Sequence, residues 1–549
     1  MQTQQKRTRL PLVAASLWAS VAAGALAAPP APPLFDWETV VNNTDPMPGA
    51  PGGRRFNSYN QPSVNVSGLV VLRARSRGGD GLGPATHGIY TRDMAKADAP
   101  IVLILDRATA VPQPNNLKTR FVETPAFPRI DRNSNTIATR GNHQPVWRYD
   151  LDGTETRAGT TGIYTNPFGP LITGASKLGA VPGFEFFEVP EAPGTPFDVF
   201  PGAPAVTDRA TLVFKGNYTV GSGRTGVYFR DLEDKEAGGT GPVVLLANNT
   251  ETVIPGTSQV FGSVSPPSAV GRVAVFAGFD DENAPTLGGI YKVPLAETPA
   301  LTPLVRIGGR VPGESVGDTF NGLGEAMSFD GRYVGFWGAW GTGTRTVRLY
   351  CPTEGNRDRI DYCNRGLVCD GRTWGDPNSV CDATGCYQDK QVPVEQGIFV
   401  HDATGSAGTR AVAKTGARFD DFLSWSYSGR TPCVSGGEGG EDDGEPVRWR
   451  SSAFVGVSGP YVAFKAVTGD IVGIYLNRQP GQDIFTVLDT RTDGQAVDPE
   501  APAGSRVVAI GIEREGLRGR WLVLNATMGV EGGSEEEGMA GIYVTRMPR

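Results

Sequence analysis

A tripeptide of the form Gly-(Ile/Val)-(Tyr/Phe) occurs seven times along this chain and constrains the fold more than any other feature. The copies begin at residues 88, 162, 226, 289, 397, 473 and 541. They are separated by 74, 64, 63, 108, 76 and 68 residues. Similarity that returns at intervals of this size predicts a repeat architecture in which each copy is one supersecondary unit.

Each copy ends a set of four short apolar runs bounded by Gly, Pro, Asn or Asp, as in the unit at 242–291. Runs this short and this rich in β-branched and aromatic residues predict strands. We name them, from the centre outward, strand A (a Phe-containing run), strand B (a VxF-like run), strand C (the tripeptide run) and strand D (a VVLLA-like run). Four strands per unit and seven units predict an all-β, seven-bladed β-propeller. The phenylalanines taken to mark strand A are Phe56, Phe121, Phe197, Phe261 and Phe320.

The two ends of the chain complement each other. The run at 37–41 is a D strand with no A, B or C strand before it, and the run at 541–546 is a C strand with no D strand after it. We therefore expect the N-terminal strand to pair with the C-terminal strand and close the last blade, since closure removes unpaired sheet edges. Residues 29–549 are then a single propeller.

Residues 1–28 are predicted to be a signal peptide. Basic residues precede an apolar stretch from Leu10 to Ala23, and Ala25-Leu26-Ala27 matches a cleavage site. No other segment approaches the ~20 apolar residues that a membrane-spanning helix needs. The mature protein is expected to be secreted or periplasmic and monomeric, with no membrane span.

Composition agrees with a turn-rich β protein, since the chain has 74 glycines and 43 prolines. The net charge is −7, which does not support a general nucleic-acid binder. No cofactor motif is evident.

The six cysteines favour three disulfides in an oxidising compartment. Five of them lie in one insertion, so full pairing requires one of these to bond the sixth, Cys433. A zinc site is the rival interpretation, but the spacings lack the C-x₂-C pairs that such sites favour. The sequence leaves the connectivity open. The insertion cysteines are Cys351, Cys363, Cys369, Cys381 and Cys386.

Loops on a rigid scaffold usually carry function, and two long excursions are expected on the face formed by the B–C and D–A connections. The first is the disulfide-rich insertion at 351–396 in blade five, and the second is the acidic, Gly-rich loop at 417–450 leading into blade six. The acidic run at 438–445 could bind calcium, although it lacks the ligand spacing of a calcium loop and reads better as a solvated loop.

A set of cations marks one side of the predicted ring. The residue after each VxF core is expected where strand B leaves the sheet, and blades one to three carry Arg73, Arg140 and Lys215 there. The alternative is that these cations bind no ligand and only cap strand ends and pair with local carboxylates. The adjoining B–C loops are expected to add His87 on blade one, His143 with Arg148 and Tyr149 on blade two, and Tyr218 with Arg224 on blade three. The candidate ligand-binding residues among these are His87, Arg148 and Arg224, and blade five adds Trp337, at the same strand-exit position, and Trp340.

Arg side chains match carboxylates, and aromatic faces stack on sugar rings. The first functional hypothesis is therefore an exported protein that binds an extracellular anionic glycan, and a protein-binding scaffold is one alternative. The other is a polysaccharide lyase that cleaves a uronate polymer by β-elimination, which needs a base, a cation and an acid. His143 is the candidate base, and Tyr149 or Tyr218 is the candidate acid.

The repeat resembles secreted bacterial repeat proteins with an N-x-x-G-x-x-x-A-F signature. Here that signature is Asn65-x-x-Gly68 before VVL and Asp330-Gly331 before YVGF. The architecture also looks like that of TolB-type propellers, and by analogy like that of seven-bladed polysaccharide lyases. The resemblance implies a propeller and export, and it carries over no catalytic residue.

Overall fold

The computed structural model describes residues 35–78, 83, 85–112, 119–124, 128–143, 150–151, 154–155, 161–177, 187–233, 241–353, 355–405, 407–416, 418–432, 446–478, 483–530, 532 and 538–547. The predicted signal peptide, Arg148, Tyr149, Cys433 and the acidic run lie outside these ranges. No helix within them is long and apolar enough to cross a membrane.

Seven antiparallel sheets dominate the described chain, and we number them I to VII in chain order. Each has the strand order A-B-C-D, and sheet V gains a short extra strand, Val380–Cys381, beside strand C. The all-β class and the four-stranded A-B-C-D units are thus confirmed. The B strands are Leu69–Ser76, Ile137–His143, Thr211–Val220, Val273–Phe279, Tyr333–Tyr350, Tyr461–Thr468 and Trp521–Gly529. The C strands are His87–Asp93, Thr161–Thr165, Ser222–Asp231, Gly288–Pro294, Cys386–Asp402, Ile471–Arg478 and Met539–Arg546.

The D strand is at one end of each sheet and the A strand at the other. The D strands of sheets I to VI are Val102–Asp106, Ile172–Ser176, Val243–Asn248, Thr302–Arg306, Thr409–Lys414 and Ile484–Asp489, and that of sheet VII is Glu38–Asn42. Strand A is a single piece in sheets III and VI, Ala205–Thr207 and Val455–Ser458. Elsewhere it has two pieces: Phe56–Tyr59 and Ser63–Val64, Phe121–Glu123 and Arg129–Ile130, Ser263–Val264 and Ser268–Val270, Phe320–Leu323 and Ser328–Phe329, and Arg506–Gly511 and Leu517–Arg518.

The expected pairing of the chain ends is present. Strand Glu38–Asn42 is antiparallel to Met539–Arg546, with Asn42 opposite Gly541. Apolar side chains fill the space between consecutive sheets, as where Val213 of sheet III packs with Phe276 of sheet IV. The last and first sheets share such a cluster too, which contains Trp521 and Leu72.

The recurring tripeptide has a steric explanation. Residues two apart point to the same side of a strand, so the Tyr ring folds back over the Gly. A Cβ on Gly226 would lie 2.5 Å from the hydroxyl of Tyr228. The Phe expected in strand A then packs edge-on against that ring, as with Phe121 and Tyr164, whose centroids are 4.7 Å apart. Phe197 and Phe261 make the same contact, although they precede their A strands instead of lying in them.

Strand B supplies the small residue that this aromatic pair needs. A Cβ on Gly278 would lie 2.6 Å from Phe261, and Gly141, Gly216 and Gly338 stand equally close to the ring of their own sheet. Sheets I to VI therefore each carry one aromatic pair seated on two small residues. The requirement explains why Gly and aromatic residues recur together along the chain.

The charged segment 513–518 is buried among the seven sheets. Arg514 and Arg518 are only 5% and 1% exposed, and burial lowers the pKa of Arg514 to about 10. The segment bonds to every other sheet: Val64 N–H to Glu515 O, Arg129 to Glu513, Arg514 to Ala203 O and Pro266 O, Ser328 to Arg514 O, and Arg518 to Val457 O.

The insertion in sheet V extends the B–C hairpin, whose strands pair as far as Tyr350 opposite Tyr387. It holds one helix, Arg357–Cys363, and a small hairpin, Leu367–Cys369 with Arg372–Trp374. Disulfides join Cys351 to Cys363 and Cys381 to Cys386, so these cysteines form disulfides and not a zinc site. Cys369 is also disulfide-bonded.

The second excursion forms a hairpin, Leu423–Ser428 with Arg448–Ala453, that packs on the first. Tyr427 from this hairpin shares an apolar cluster with Cys351 and Cys363. Its hydroxyl donates to Asp376 at 2.6 Å. The remaining elements are the short hairpins Asp150–Leu151 with Thr154–Glu155 and Glu188–Val189 with Ala192–Pro196, and the 3₁₀ turns Pro51–Gly53 and Gly494–Ala496.

Candidate functional site

The predicted site residues lie near one edge of the sheets, where strands B end and strands C begin. We call this the upper edge. In sheet I it is marked by Arg75 opposite His87, and in sheet III by Tyr218 opposite Arg224. His401 pairs with Val334 near the start of strand B. That position is the opposite, lower edge.

The prediction that Arg73, Arg140 and Lys215 stand where strand B leaves its sheet is wrong. All three lie inside B strands, because strand B continues beyond its apolar core with polar residues that pair with strand C. Arg73 and Arg140 are 4% and 3% exposed. The B–C loop assignment is wrong as well, since His87 and Arg224 are in C strands and His143 and Tyr218 in B strands.

Arg73 and His87 of sheet I converge on Thr124 of sheet II. The Arg73 Nε donates to the Thr124 carbonyl oxygen, and its Nη1 donates to Asn60 Oδ1 at 2.9 Å. His87 Nδ1 lies 3.3 Å from Thr124 Oγ1. These contacts join two sheets, so Arg73 acts in the scaffold and does not cap a strand end.

His87 is a buried imidazole among cations. Burial first, and then Arg73, Arg107 and Arg75, lower its pKa to about 3. The ring is therefore neutral near pH 7. A positive potential that suppresses protonation of an imidazole would equally favour an anion at the same place.

Exposed arginines surround this pair on the upper edge of sheets I and II. Arg75, Arg107 and Arg120 are all exposed. Arg107 and Arg120 donate only to carbonyl oxygens, those of Ala85 and Ala108. Within the described part of the chain, none of the three arginines forms an ion pair with a carboxylate. Their charge is thus available to a ligand.

The surroundings of His143, the candidate base, differ from the prediction. His143 is 5% exposed at the end of strand B in sheet II. Both His143 and Arg140 already have interaction partners.

The two aromatic candidates on sheet V are structural: Trp337 donates to Gln396 Oε1 at 2.8 Å, and Trp340 packs edge-on against Phe399.

Sheet III holds a carboxylate that sequence reasoning missed. Glu191 Oε1 accepts hydrogen bonds from the hydroxyls of Tyr218 (3.1 Å) and Tyr228 (2.7 Å) and from Asn248 Nδ2 (3.1 Å). Burial raises the pKa of both tyrosines, with a further contribution from Glu191. Tyr218, the candidate acid, is therefore protonated at neutral pH.

Sheet VII repeats the core of this cluster. Asp498 Oδ2 accepts from the Tyr543 hydroxyl and from Asn42 Nδ2, both at 2.9 Å. Tyr543 and Asn42 hold the positions of Tyr228 and Asn248, at the tripeptide and at the end of strand D. The matching Asn residues at the ends of the D runs VVLLAN and TVVN are the sequence signal that could have revealed both clusters.

Within the described ranges, no group of three or more His, Cys, Asp or Glu side chains could hold a metal ion. The calcium alternative concerned the acidic run, which lies outside these ranges.

No family model matches this sequence, and no curated protein matches it. Solved structures with a similar arrangement include an oligogalacturonate lyase in complex with manganese, at 9% identity and a TM-score of 0.37, covering 94% of this chain and 98% of that one. The polysaccharide lyase Uly1 is similar at 10% identity, with a TM-score of 0.37 and the same coverage. TolB from Acinetobacter baumannii is similar at 10% identity, with a TM-score of 0.28 over 73% of this chain and 59% of that one.

Proposed function

We propose that this protein is an exported β-propeller that binds an anionic extracellular polymer, a uronate-containing glycan, on the upper edge of sheets I and II. One observation carries the proposal: Arg75, Arg107 and Arg120 are exposed, without an ion-paired carboxylate in the described ranges, and two of them border the neutral His87. Among the described residues, cations without an ion-paired carboxylate are concentrated here although the chain has a net charge of −7.

The chemistry of the side chains favours carboxylate groups on the ligand. The guanidinium fork pairs with a carboxylate through two parallel hydrogen bonds, which a lysine cannot do. Exposed charges are screened by salt over about 8–10 Å, so the interaction should weaken as ionic strength rises. The overall negative charge limits binding of polyanions elsewhere on the surface.

The test is titration of polygalacturonate into the protein, with dextran as the neutral glycan. The double variant R75A/R107A is expected to bind polygalacturonate roughly tenfold or more weakly, since each lost charge-assisted hydrogen bond contributes about 1.5–3 kcal/mol. The matched control is K96A/R357A, which removes two cations whose side chains are 75% and 85% exposed elsewhere. Equal weakening of polygalacturonate binding in both variants would show that binding depends only on net charge, which would contradict the proposal.

The lyase alternative has one observation in its favour. His87 is unprotonated and stands beside Arg73, and a neutral base next to a cation is what proton abstraction beside a carboxylate requires. Incubation with polyuronides decides the matter, because β-elimination yields unsaturated products that absorb ultraviolet light. Product that persists in H143A and disappears in H87A would move the base from His143 to His87. A protein ligand, the third alternative, would bind without any glycan.

We also infer that the seven sheets are the blades of one closed ring and that the protein is a monomer. The pairing of Glu38–Asn42 with the C-terminal strand supports closure. The apolar cluster shared by sheets I and VII and the bonds from 513–518 to the other six sheets support it as well. The two disulfides support an oxidising compartment.

A further inference from the structure

Two oppositely charged side chains in sheet III each leave one buried atom without a hydrogen-bond partner. Within the described part of the chain, Glu191 Oε2 and Arg224 Nε are such atoms. The two side chains do not pair with each other there. A buried polar atom that stays unpaired costs about 1–3 kcal/mol, and more when the group is charged, so both atoms call for a partner.

A chain of polar contacts links the two groups. Arg224 Nη1 lies 3.4 Å from Thr250 Oγ1, and Thr250 Oγ1 lies 3.4 Å from the Tyr218 hydroxyl. That hydroxyl donates to Glu191 Oε1 at 3.1 Å. Because Tyr218 is directly opposite Arg224 in the B–C ladder, the guanidinium and the carboxylate flank the same tyrosine.

Sheet VII shows what the same framework looks like without these polar groups. It repeats the tyrosine, the asparagine and the carboxylate as Tyr543, Asn42 and Asp498. At the ladder positions that correspond to Tyr218 and Arg224 it carries Met528 opposite Met539, which are 0% and 8% exposed. The framework therefore folds with an apolar pair, and the polar pair of sheet III is not required for it.

We infer that sheet III holds a subsite for one uronate unit, with the carboxylate of that unit on the Arg224 guanidinium and a ring hydroxyl donating to the Glu191 carboxylate, since both side chains are partly exposed. This inference rests on the proposed function. A neutral sugar would leave the Arg224 guanidinium without an anion, and a ligand with only anionic groups would be repelled by Glu191. A unit with a carboxylate next to hydroxyl groups pairs with both side chains.

The test is the double variant Y218M/R224M, which copies into sheet III the pair that sheet VII already uses. Circular dichroism and the melting temperature check that it folds. The probe is a galacturonate tetramer, titrated alongside its fully methyl-esterified form. The wild-type protein is expected to prefer the free acid, and the double variant to bind the free acid roughly tenfold to hundredfold more weakly, with little change for the ester.

The control variant Y543F removes the matching hydroxyl in sheet VII and is expected to bind the tetramer as the wild type does. If Y218M/R224M folds and binds the tetramer as tightly as the wild type, the subsite is refuted while the proposed function stands. If the wild type binds neither the tetramer nor polygalacturonate, the proposed function fails first. Galacturonate monomer is a separate probe, which shows whether a free hydroxy acid binds as a unit of the polymer does. Selective weakening of monomer binding in Y218M/R224M supports the same subsite.

Discussion

At the scale of single residues, the arginines of sheet I divide into two kinds. Arg73 is buried and donates to the neighbouring sheet, so it belongs to the scaffold. Arg75 and Arg107 are exposed and act on His87 from outside. Sequence reasoning selected Arg73 and missed Arg75 and Arg107, because the alternation that buries one side chain and exposes the next depends on the register of strand B.

The pKa of His87 makes a pH prediction. Its value of about 3 in the folded protein is below the value of about 6.5 expected in the unfolded chain. The unfolded state therefore binds more protons between these values, and stability falls as pH is lowered from about 6 towards 4, with a slope of up to about 1.4 kcal/mol per pH unit from this residue.

The measurement is the free energy of unfolding in urea at several pH values for the wild type and His87→Gln. The carboxylates titrate in both proteins, so the difference between the two slopes isolates His87. The variant is expected to show the shallower slope in this window. Parallel pH profiles would mean that His87 is protonated in the folded protein.

At the scale of elements, the strand pattern was predictable and the strand lengths were not. The seven tripeptides and the apolar runs identified the strands and their order, because the residue types in these runs determine side-chain alternation and packing against the next sheet. The polar continuation of strand B in sheet III, from Lys215 to Val220, carries no such signal. It is a strand only because Ser222–Asp231 pairs with it, and this is why Lys215 was placed at a strand exit.

The aromatic pairs of sheets I to VI lead to a prediction about the small residues that lie against them. Gly278→Ala would place a Cβ 2.6 Å from Phe261 and is expected to destabilise the protein by about 1–3 kcal/mol through overpacking. The control is Gly317→Ala, since a Cβ there meets nothing within 4 Å. Thermal unfolding compares the two variants. Equal melting temperatures would show that the Phe261 side chain moves aside at no cost in stability.

At the scale of the whole molecule, the segment 513–518 shows where sequence reasoning reached its limit. Glu513, Arg514, Glu515 and Arg518 lie outside the runs used to identify the repeat and drew no prediction, yet each is at most 5% exposed. Their burial results from strands hundreds of residues away, such as the one that carries Arg129. The Tyr-carboxylate clusters of sheets III and VII were missed for the same reason, because Glu191 and Asp498 come from connections outside the repeat.

The ring closure that we propose predicts that the N-terminal strand is essential. A chain beginning at residue 43 lacks Val40 and Val41, both 0% exposed, and should lose at least about 3–6 kcal/mol of stability from these two side chains. A chain beginning at residue 35 is the control. Melting temperatures of the two chains are compared, with the peptide 35–42 added to the shorter one, where recovery is expected. Indistinguishable melting temperatures would contradict closure.

The central claim is that unpaired arginines on the upper edge of sheets I and II bind a polyuronate. Calorimetric titration of polygalacturonate into the wild type and R75A/R107A, each at low and at high salt, tests it most directly. We expect the wild type to bind, its affinity to fall with salt, and the variant to be weaker with a shallower salt dependence. Binding that is the same in both proteins, or absent from the wild type at low salt, would contradict the claim.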